Sequence, residues 1–198
     1  MKVKRMVTVD TDAFKVGDII EVKLTDGVKV EAMAVKQEAN GMIFCLINCL
    51  PDKYQMNSTS TKEGGYEESN LRKKLNGDIL NLFPTELKAT MVPFDNGDLL
   101  RLPTNEEIFG KNRYGEYEGP DVKQWEPMKK RRNRIAFYEK KNEWLQWYWL
   151  MNKARKSVAL FSVVDPGGTA VYENADKFFG ARPVFKIKNG ESDSENRI

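Results

Sequence analysis

Apolar and polar positions alternate near both ends of the chain, and a helical period lies between them. Gly17-Asp18-Ile19-Ile20-Glu21-Val22-Lys23-Leu24 meets Val28-Lys29-Val30-Glu31-Ala32-Met33-Ala34-Val35 across Thr25-Asp26-Gly27. The Asp-Gly pair supplies the positive φ that a hairpin turn requires. A third apolar run, residues 42–48, follows Ala39-Asn40-Gly41, where Asn-Gly predicts another turn. The pattern predicts a three-stranded β-meander. Residues 147–187 read as a second antiparallel system. Trp147-Tyr148-Trp149-Leu150 opens it, and Ala159-Leu160-Phe161-Ser162-Val163-Val164 continues it into the turn Asp165-Pro166-Gly167-Gly168. Val171-Tyr172 and Phe178-Phe179 follow, and Gly180-Ala181-Arg182-Pro183-Val184-Phe185-Lys186-Ile187 closes it.

Between these systems, residues 56–65 form a polar loop that leads into a helix. Leu71, Leu75, Ile79 and Leu82 recur at spacings of four, four and three, one apolar stripe. Phe83-Pro84 ends that helix, and residues 84–88 start another short turn of helix. Asn76 is expected at a helix C-terminus in the left-handed region. Leu99-Leu100-Arg101-Leu102-Pro103 reads as a short strand. Thr104 with Glu107 three residues on predicts a capped helix start. Residues 110–127 read as loop. The organisation expected is a meander in residues 1–57 integrated with the main domain, a domain over residues 58–188, and a mobile tail in residues 189–198.

Composition narrows the chemistry. The 198 residues are 40% hydrophobic and 11% aromatic, enough for one well-filled core. Thirty-two Lys and Arg against 29 Asp and Glu leave a formal charge of +3, too balanced to point to nucleic acid by itself. There is no histidine, which removes the commonest general base and every Ser-His or Cys-His nucleophile arrangement. Cys45 and Cys49 sit in an apolar run at a spacing that places them roughly 13 Å apart along a strand. They are expected as two buried free thiols. Met1-Lys2-Val3-Lys4-Arg5 has no apolar run behind it, so neither a signal peptide nor a membrane span is expected. The expected place is the cytoplasm as synthesised, with action in a virion or in a host cytoplasm.

Lys129, Lys130, Arg131, Arg132 and Arg134 form the one strong charge run. It reads as a solvated face flanked by Glu126, Glu139 and Glu143, or as a contact to phosphates beside Trp125 and Tyr138. Trp144, Trp147 and Tyr148 fall at helical spacing, which suits a core. Tyr114, Tyr117 and Trp125 lie in a loop and are the better stacking candidates. Asp95-Asn96-Gly97-Asp98 lacks the closing glutamate of a calcium loop and reads as a turn. No metal and no cofactor is expected.

Several short motifs occur in a set order. They are Ser69-Asn70-Leu71-Arg72-Lys73-Lys74-Leu75-Asn76, Phe83-Pro84-Thr85-Glu86, residues 99–107, Trp149-Leu150 and Gly180-Ala181-Arg182-Pro183-Val184. Together they resemble an uncharacterised domain family of bacteria and their phages. Its pattern runs S-x-L-R-x-W-L-N, F-S-x-x-E, L-L-S-x-x-E, W-W-L-R-S-P, a D-G or N-G turn, and G-V-R-P-A. Met151-Asn152-Lys153 stands here where R-S-P is usual.

That family is similar to the C-type-lectin-like fold of formylglycine-generating enzymes and phage tropism proteins. The resemblance implies an α+β, C-type-lectin-like domain with a twisted antiparallel sheet and one or two packed helices. It also implies that the region between Trp149-Leu150 and Gly180 with Arg182-Pro183 carries the ligand surface. The candidates there are Met151, Asn152, Lys153, Arg155, Tyr172, Asn174 and Lys177. Gly180 is expected to allow a turn, and Arg182 to pair with a buried carboxylate.

The function expected is non-enzymatic recognition of a protein or glycan by a phage or prophage protein. Membranes are not among the partners, and nucleic acid enters only through a nucleoprotein. Two alternatives stand beside it. One is an intracellular inhibitor docking on a host nucleoprotein machine through the basic run. The other is a degenerate relative of the formylglycine-generating enzymes, although the paired cysteines of those enzymes lie in the C-terminal region and Cys45 and Cys49 do not.

Overall fold

The computed structural model describes residues 14–110, 123–138 and 143–189. Ile19–Lys23 (β1), Lys29–Glu38 (β2) and Gly41–Leu46 (β3) build the antiparallel meander, with Gly27 at φ 87° in the first turn. Lys53–Tyr54 (β4) follows, then Ala136–Tyr138 (β5), Glu143–Gln146 (β6) and Tyr148–Lys153 (β7). Leu160–Val164 (β8), Ala170–Asn174 (β9), Phe179–Gly180 (β10) and Val184–Lys188 (β11) complete the strands. The sheet orders are β1-β2-β3-β11, β4-β10-β7-β8-β9, and a β5-β6 ribbon. Among the described residues the pairing is antiparallel except where β10 meets β7 at Gly180 and Tyr148. The fold is α+β, and β3 joins the N-terminal meander to the last strand by pairing with β11.

The central strands are covered on both sides. In β3, Met42, Phe44 and Leu46 enter one apolar cluster with Phe185, Trp149, Phe161 and Val163. Ile43 and Cys45 enter a second with Tyr148, Leu150, Val164, Ile108, Trp125 and Met128. Successive strand residues point to opposite faces, so a strand with apolar cover on both faces reads as an unbroken apolar run. Trp149 is fully buried, and its Nε1 donates to Tyr54 O at 2.7 Å.

The apolar stripe at 71–82 does form helix, though not uniform α-helix. Asn70–Lys74 (α1) is capped by Ser69, whose hydroxyl accepts from Arg72 N. One wide π turn, Leu75–Ile79, and a tighter 3₁₀ turn, Leu80–Leu82, continue it. Asn76 lies inside this run rather than at its C-terminus. Its carboxamide accepts from Leu99 N and Leu100 N, both at 3.0 Å, and donates to Leu100 O and Arg72 O. The donation to Arg72 O competes for the carbonyl four residues back, where the ladder widens.

Thr85–Thr90 (α2) follows Pro84. Asn105–Phe109 (α3) starts with the expected capping box of Thr104 and Glu107, and Gly110 ends it at φ 74°. Arg131–Arg134 (α4) follows a 3₁₀ turn, Glu126–Lys129.

Three further expectations are corrected. Residues 99–103 are not a strand; only a bridge between Arg101 and Val184 forms there, because Asn76 takes the Leu99 and Leu100 amides. Gly180 is needed for close approach rather than a turn, since a Cβ there would lie 2.6 Å from Cys49 Sγ. Among the described residues Arg182 faces no carboxylate: its guanidinium donates to Leu46 O, to Asn133 O at 2.9 Å and to the Tyr148 hydroxyl at 3.2 Å. It ties the end of β3, the end of α4 and β7 to the crossover between the two sheets. Backbone carbonyls and a phenol satisfy it in the interior where a carboxylate was expected.

Among the described residues no helix is long and apolar enough to cross a membrane. The tail expectation for residues 190–198 lies outside the described residues.

Candidate recognition surface

β7 is irregular in a way that sorts the candidate residues. Trp149 faces Val163 but Lys153 faces Phe161, so β7 holds two extra residues against β8. Bulges of this kind re-aim side chains. Here Asn152 turns toward the start of α3, where its Oδ1 accepts from Asn105 N at 2.7 Å. Asn105 then reaches the Tyr172 hydroxyl at 3.4 Å and accepts from Ser162 Oγ at 2.7 Å. Asn105 and Ser162 are buried. Asn152 and Tyr172 are therefore joined to one interior polar network, and their polar atoms hold α3 on the sheet.

Beyond the bulge, residues 154–159 form a tip whose backbone is held by hydrogen bonds at both of its ends. Ala154 N donates to Leu160 O at 3.0 Å, and Ser157 Oγ accepts from Ala159 N and Leu160 N, both at 3.1 Å. From the neighbouring loop, Lys62 N donates to Val158 O at 2.8 Å and Lys62 Nζ to Ala154 O at 2.6 Å. Ala175 N donates to Ala159 O at 3.0 Å, linking the tip to the turn after β9. The side chains contrast with this fixed backbone. Val158 is 83% exposed, and Arg155 and Lys156 are exposed on the same tip. No Asp or Glu occurs between Glu143 and Asp165, so the hairpin is uniformly cationic in sequence.

The other C-terminal candidates lie nearby with different exposure. Lys153 is half-buried, and its chain runs 3.7 Å from where a Gly65 Cβ would stand. Asn174 is half-buried at the end of β9. Lys177 is exposed in the turn beyond it, beside Phe178, which is 59% exposed.

The basic run is divided among tasks. Arg131 Nε donates to Gly167 O at 2.6 Å and Arg134 Nε to Gly168 O at 3.2 Å, so two guanidiniums clamp the Pro-Gly-Gly turn. Arg134 also donates to Met128 O and stacks over Phe109. Burial pulls the Arg134 guanidinium below its ordinary pKa, and Arg131 beside it adds to the effect while the Tyr148 phenol opposes it. Lys129 pairs with Glu126 at 2.5 Å on an exposed surface. Lys130 and Arg132 are exposed. Trp125 is buried rather than available for stacking. The expectations for Tyr114 and Tyr117 lie outside the described residues.

Other ionisable groups are bound into the fold. Arg101 and Glu107 form a buried two-point pair at 2.6 and 2.8 Å. Asp98, the last residue of the Asp-Asn-Gly-Asp turn, holds Arg72 at 2.7 Å. Cys45 and Cys49 are free and buried. Burial pushes both thiols up, Cys49 to about 12, so neither is a thiolate at neutral pH. Among the described residues no three His, Cys, Asp or Glu side chains gather as metal ligands.

Sequence reasoning placed Arg155 on this surface but passed over Lys156, Val158 and Phe178. A valine beside a serine in a cation-rich turn between two apolar strands was the available signal for Val158. No protein-family model, curated protein or solved structure matches the chain.

Proposed function

We propose that the protein is a non-enzymatic recognition module of phage or prophage type, built on a C-type-lectin-like domain. It binds a protein or glycan partner through its C-terminal loops. The observation that carries this reading is the tip at residues 154–159. Its backbone is held by hydrogen bonds at Ala154, Val158 and Ala159, while Arg155, Lys156 and Val158 project without a core role. Ordering a loop on binding costs free energy, and a loop already ordered avoids that cost. An apolar side chain left 83% exposed, two residues after a pair of exposed cations, offers a contact that folding does not use.

The alternative through residues 129–134 has less to work with. Arg134 and, through its Nε, Arg131 are held by the Gly168 and Gly167 carbonyls and Lys129 by Glu126, while Lys130 and Arg132 are exposed.

Host-lysate capture and a glycan array with the full chain identify partners, and two variants then locate the contact. Arg155→Ala/Lys156→Ala/Val158→Ser is expected to lose about 2 kcal/mol or more of binding, roughly thirtyfold. Its unfolding midpoint should stay at the wild-type value, because the altered side chains are exposed. Lys130→Ala/Arg132→Ala is expected to bind normally. Loss of binding in the second variant alone overturns the reading in favour of the basic run.

A further inference from the structure

The positive charge of the chain is gathered in one place. Residues 123–134 carry six Lys and Arg against one Glu, a net +5. The whole chain is +3, so everything outside this stretch is net −2. Asp165, in the turn that Arg131 clamps, adds a carboxylate nearby, and its Oδ1 already accepts from Thr169 N at 2.8 Å. Lys123, Lys129, Lys130, Arg131 and Arg132 are exposed. Among the described residues, Lys129 is the one of these that a carboxylate holds. Exposed lysines elsewhere are placed differently: Lys29, Lys36 and Lys74 lie against Glu21, Glu38 and Asp78.

The chain beneath these cations is fixed from several sides. Asn133 N donates to Lys130 O at 2.9 Å, Asn133 Nδ2 to Pro127 O at 2.8 Å, and the buried Arg182 to Asn133 O at 2.9 Å. Arg131 is tethered through Nε, which leaves the end of its guanidinium fork for a second acceptor. Arg131 and Arg132 stand at successive positions of α4 with Lys130 before them, and each helical step turns about 100°. The charges therefore fan outward over the surface instead of converging on one point. Phe137 follows in β5, 50% exposed, with its backbone held by Asn48 Oδ1 at 3.1 Å and Cys49 N at 3.2 Å. Three residues of chain reach at most about 11 Å, so its Cα lies within that distance of Arg134.

A fan of cations matches a row of anions better than a single one. An acidic peptide adds apolar anchors that fill pockets, and residues 129–134 include no apolar side chain. Nucleic acid is drawn by its phosphates alone, and an exposed ring beside them gives a base a face to stack on. We infer that Lys130, Arg131, Arg132 and Phe137 form a contact surface for single-stranded nucleic acid, with the cations on phosphates and the ring on a base. The inference goes beyond the recognition reading and does not rest on it.

The test follows the fluorescence anisotropy of a labelled oligo(dT) with the full chain. Three phosphate contacts give a salt slope of about −2, so affinity should fall roughly twentyfold between about 50 and 200 mM salt. Lys130→Ala/Arg132→Ala should lose about tenfold at low salt and flatten the slope to about −0.7. Phe137→Ala should lose about fivefold or more and keep the slope. Lys23→Ala/Lys29→Ala, an equal loss of charge on the β1–β2 hairpin, should bind as wild type does. Thermal melts of all three should match wild type, because the altered side chains are exposed.

No binding in low salt overturns the proposal. So does polyglutamate that displaces the oligonucleotide at equal charge, and so does tighter binding to duplex DNA or to anionic lipid vesicles. Unchanged affinity in Lys130→Ala/Arg132→Ala or in Phe137→Ala, or an equal loss in Lys23→Ala/Lys29→Ala, overturns it too. The two readings fail separately, since partner capture is judged on the tip variant and oligonucleotide binding on these three.

Discussion

Replacing Glu107 by glutamine should cost about 3 kcal/mol, the low end of what removing one partner from a buried ion pair costs. Both side chains are nearly enclosed, with relative exposures of 11% for Arg101 and 10% for Glu107. The pair is two-pronged, at 2.6 and 2.8 Å, and the guanidinium also lies 4.4 Å over the Phe94 ring. Glutamine preserves the shape and one acceptor oxygen but leaves the cation without a counter-charge away from water. Glu107→Leu removes in addition the acceptor for Thr104 N, 2.9 Å away, which closes the capping box of α3. Losing a cap adds about 1 kcal/mol, for a total near 4 to 5 kcal/mol.

Urea unfolding with matched m-values measures both variants, and thermal melts should fall by about 6–12 °C for the glutamine change in a domain of this size. The double variant Arg101→Met/Glu107→Leu removes the stranded charge along with its partner. It should be at least about 2 kcal/mol more stable than the sum of the single changes implies. A loss below about 1 kcal/mol for Glu107→Gln, or simple additivity in the cycle, would refute the reasoning.

Asn76→Ala strands two amide donors and one carbonyl between the helix and residues 99–100, so a loss of about 2–3 kcal/mol is expected in the same assay. Trp149→Ala empties a fully buried site and should cost about 3–5 kcal/mol; an unchanged melting temperature contradicts the packing. Cys45 and Cys49 should resist iodoacetamide in the native protein at mildly alkaline pH and react together on unfolding, as counted by mass spectrometry. Burial alone would raise the Glu38 carboxyl, but Lys36 and Lys186 together hold it below its ordinary value of 4.5. Its contribution is therefore complete above that value and fades as pH falls through the lower folded-state pKa. The stability advantage of wild type over Glu38→Gln should shrink on acidification; a pH-independent difference would show that the two lysines do not act on it.

Local chemistry was legible before any fold was known. The Asp26-Gly27 hairpin, the Thr104–Glu107 capping box, the helix ending before Pro84 and the Pro-Gly-Gly turn after β8 each depend on residues a few positions apart. So did the general character of the fold, α+β with antiparallel strands at both ends of the chain. The exposure of Arg155 and Lys177 was legible too, because both sit in polar breaks between apolar strands.

Tertiary structure decided which side chains are free to act. Asn152 and Tyr172 share the same stretch of sequence with Arg155, yet a bulge in β7 and the start of α3 draw them into an interior network. Arg131 and Arg134 read as surface charge until the turn at Gly167 and Gly168 meets them more than thirty residues away. Arg182 finds Leu46 O across 136 positions, and Asn76 finds Leu100 across 24. Turns, caps and strand periodicity follow from the residue order alone, because these are satisfied by a residue's own neighbours. Which polar group is satisfied from afar, and which is left facing water for a partner, depends on segments that only the folded chain brings together.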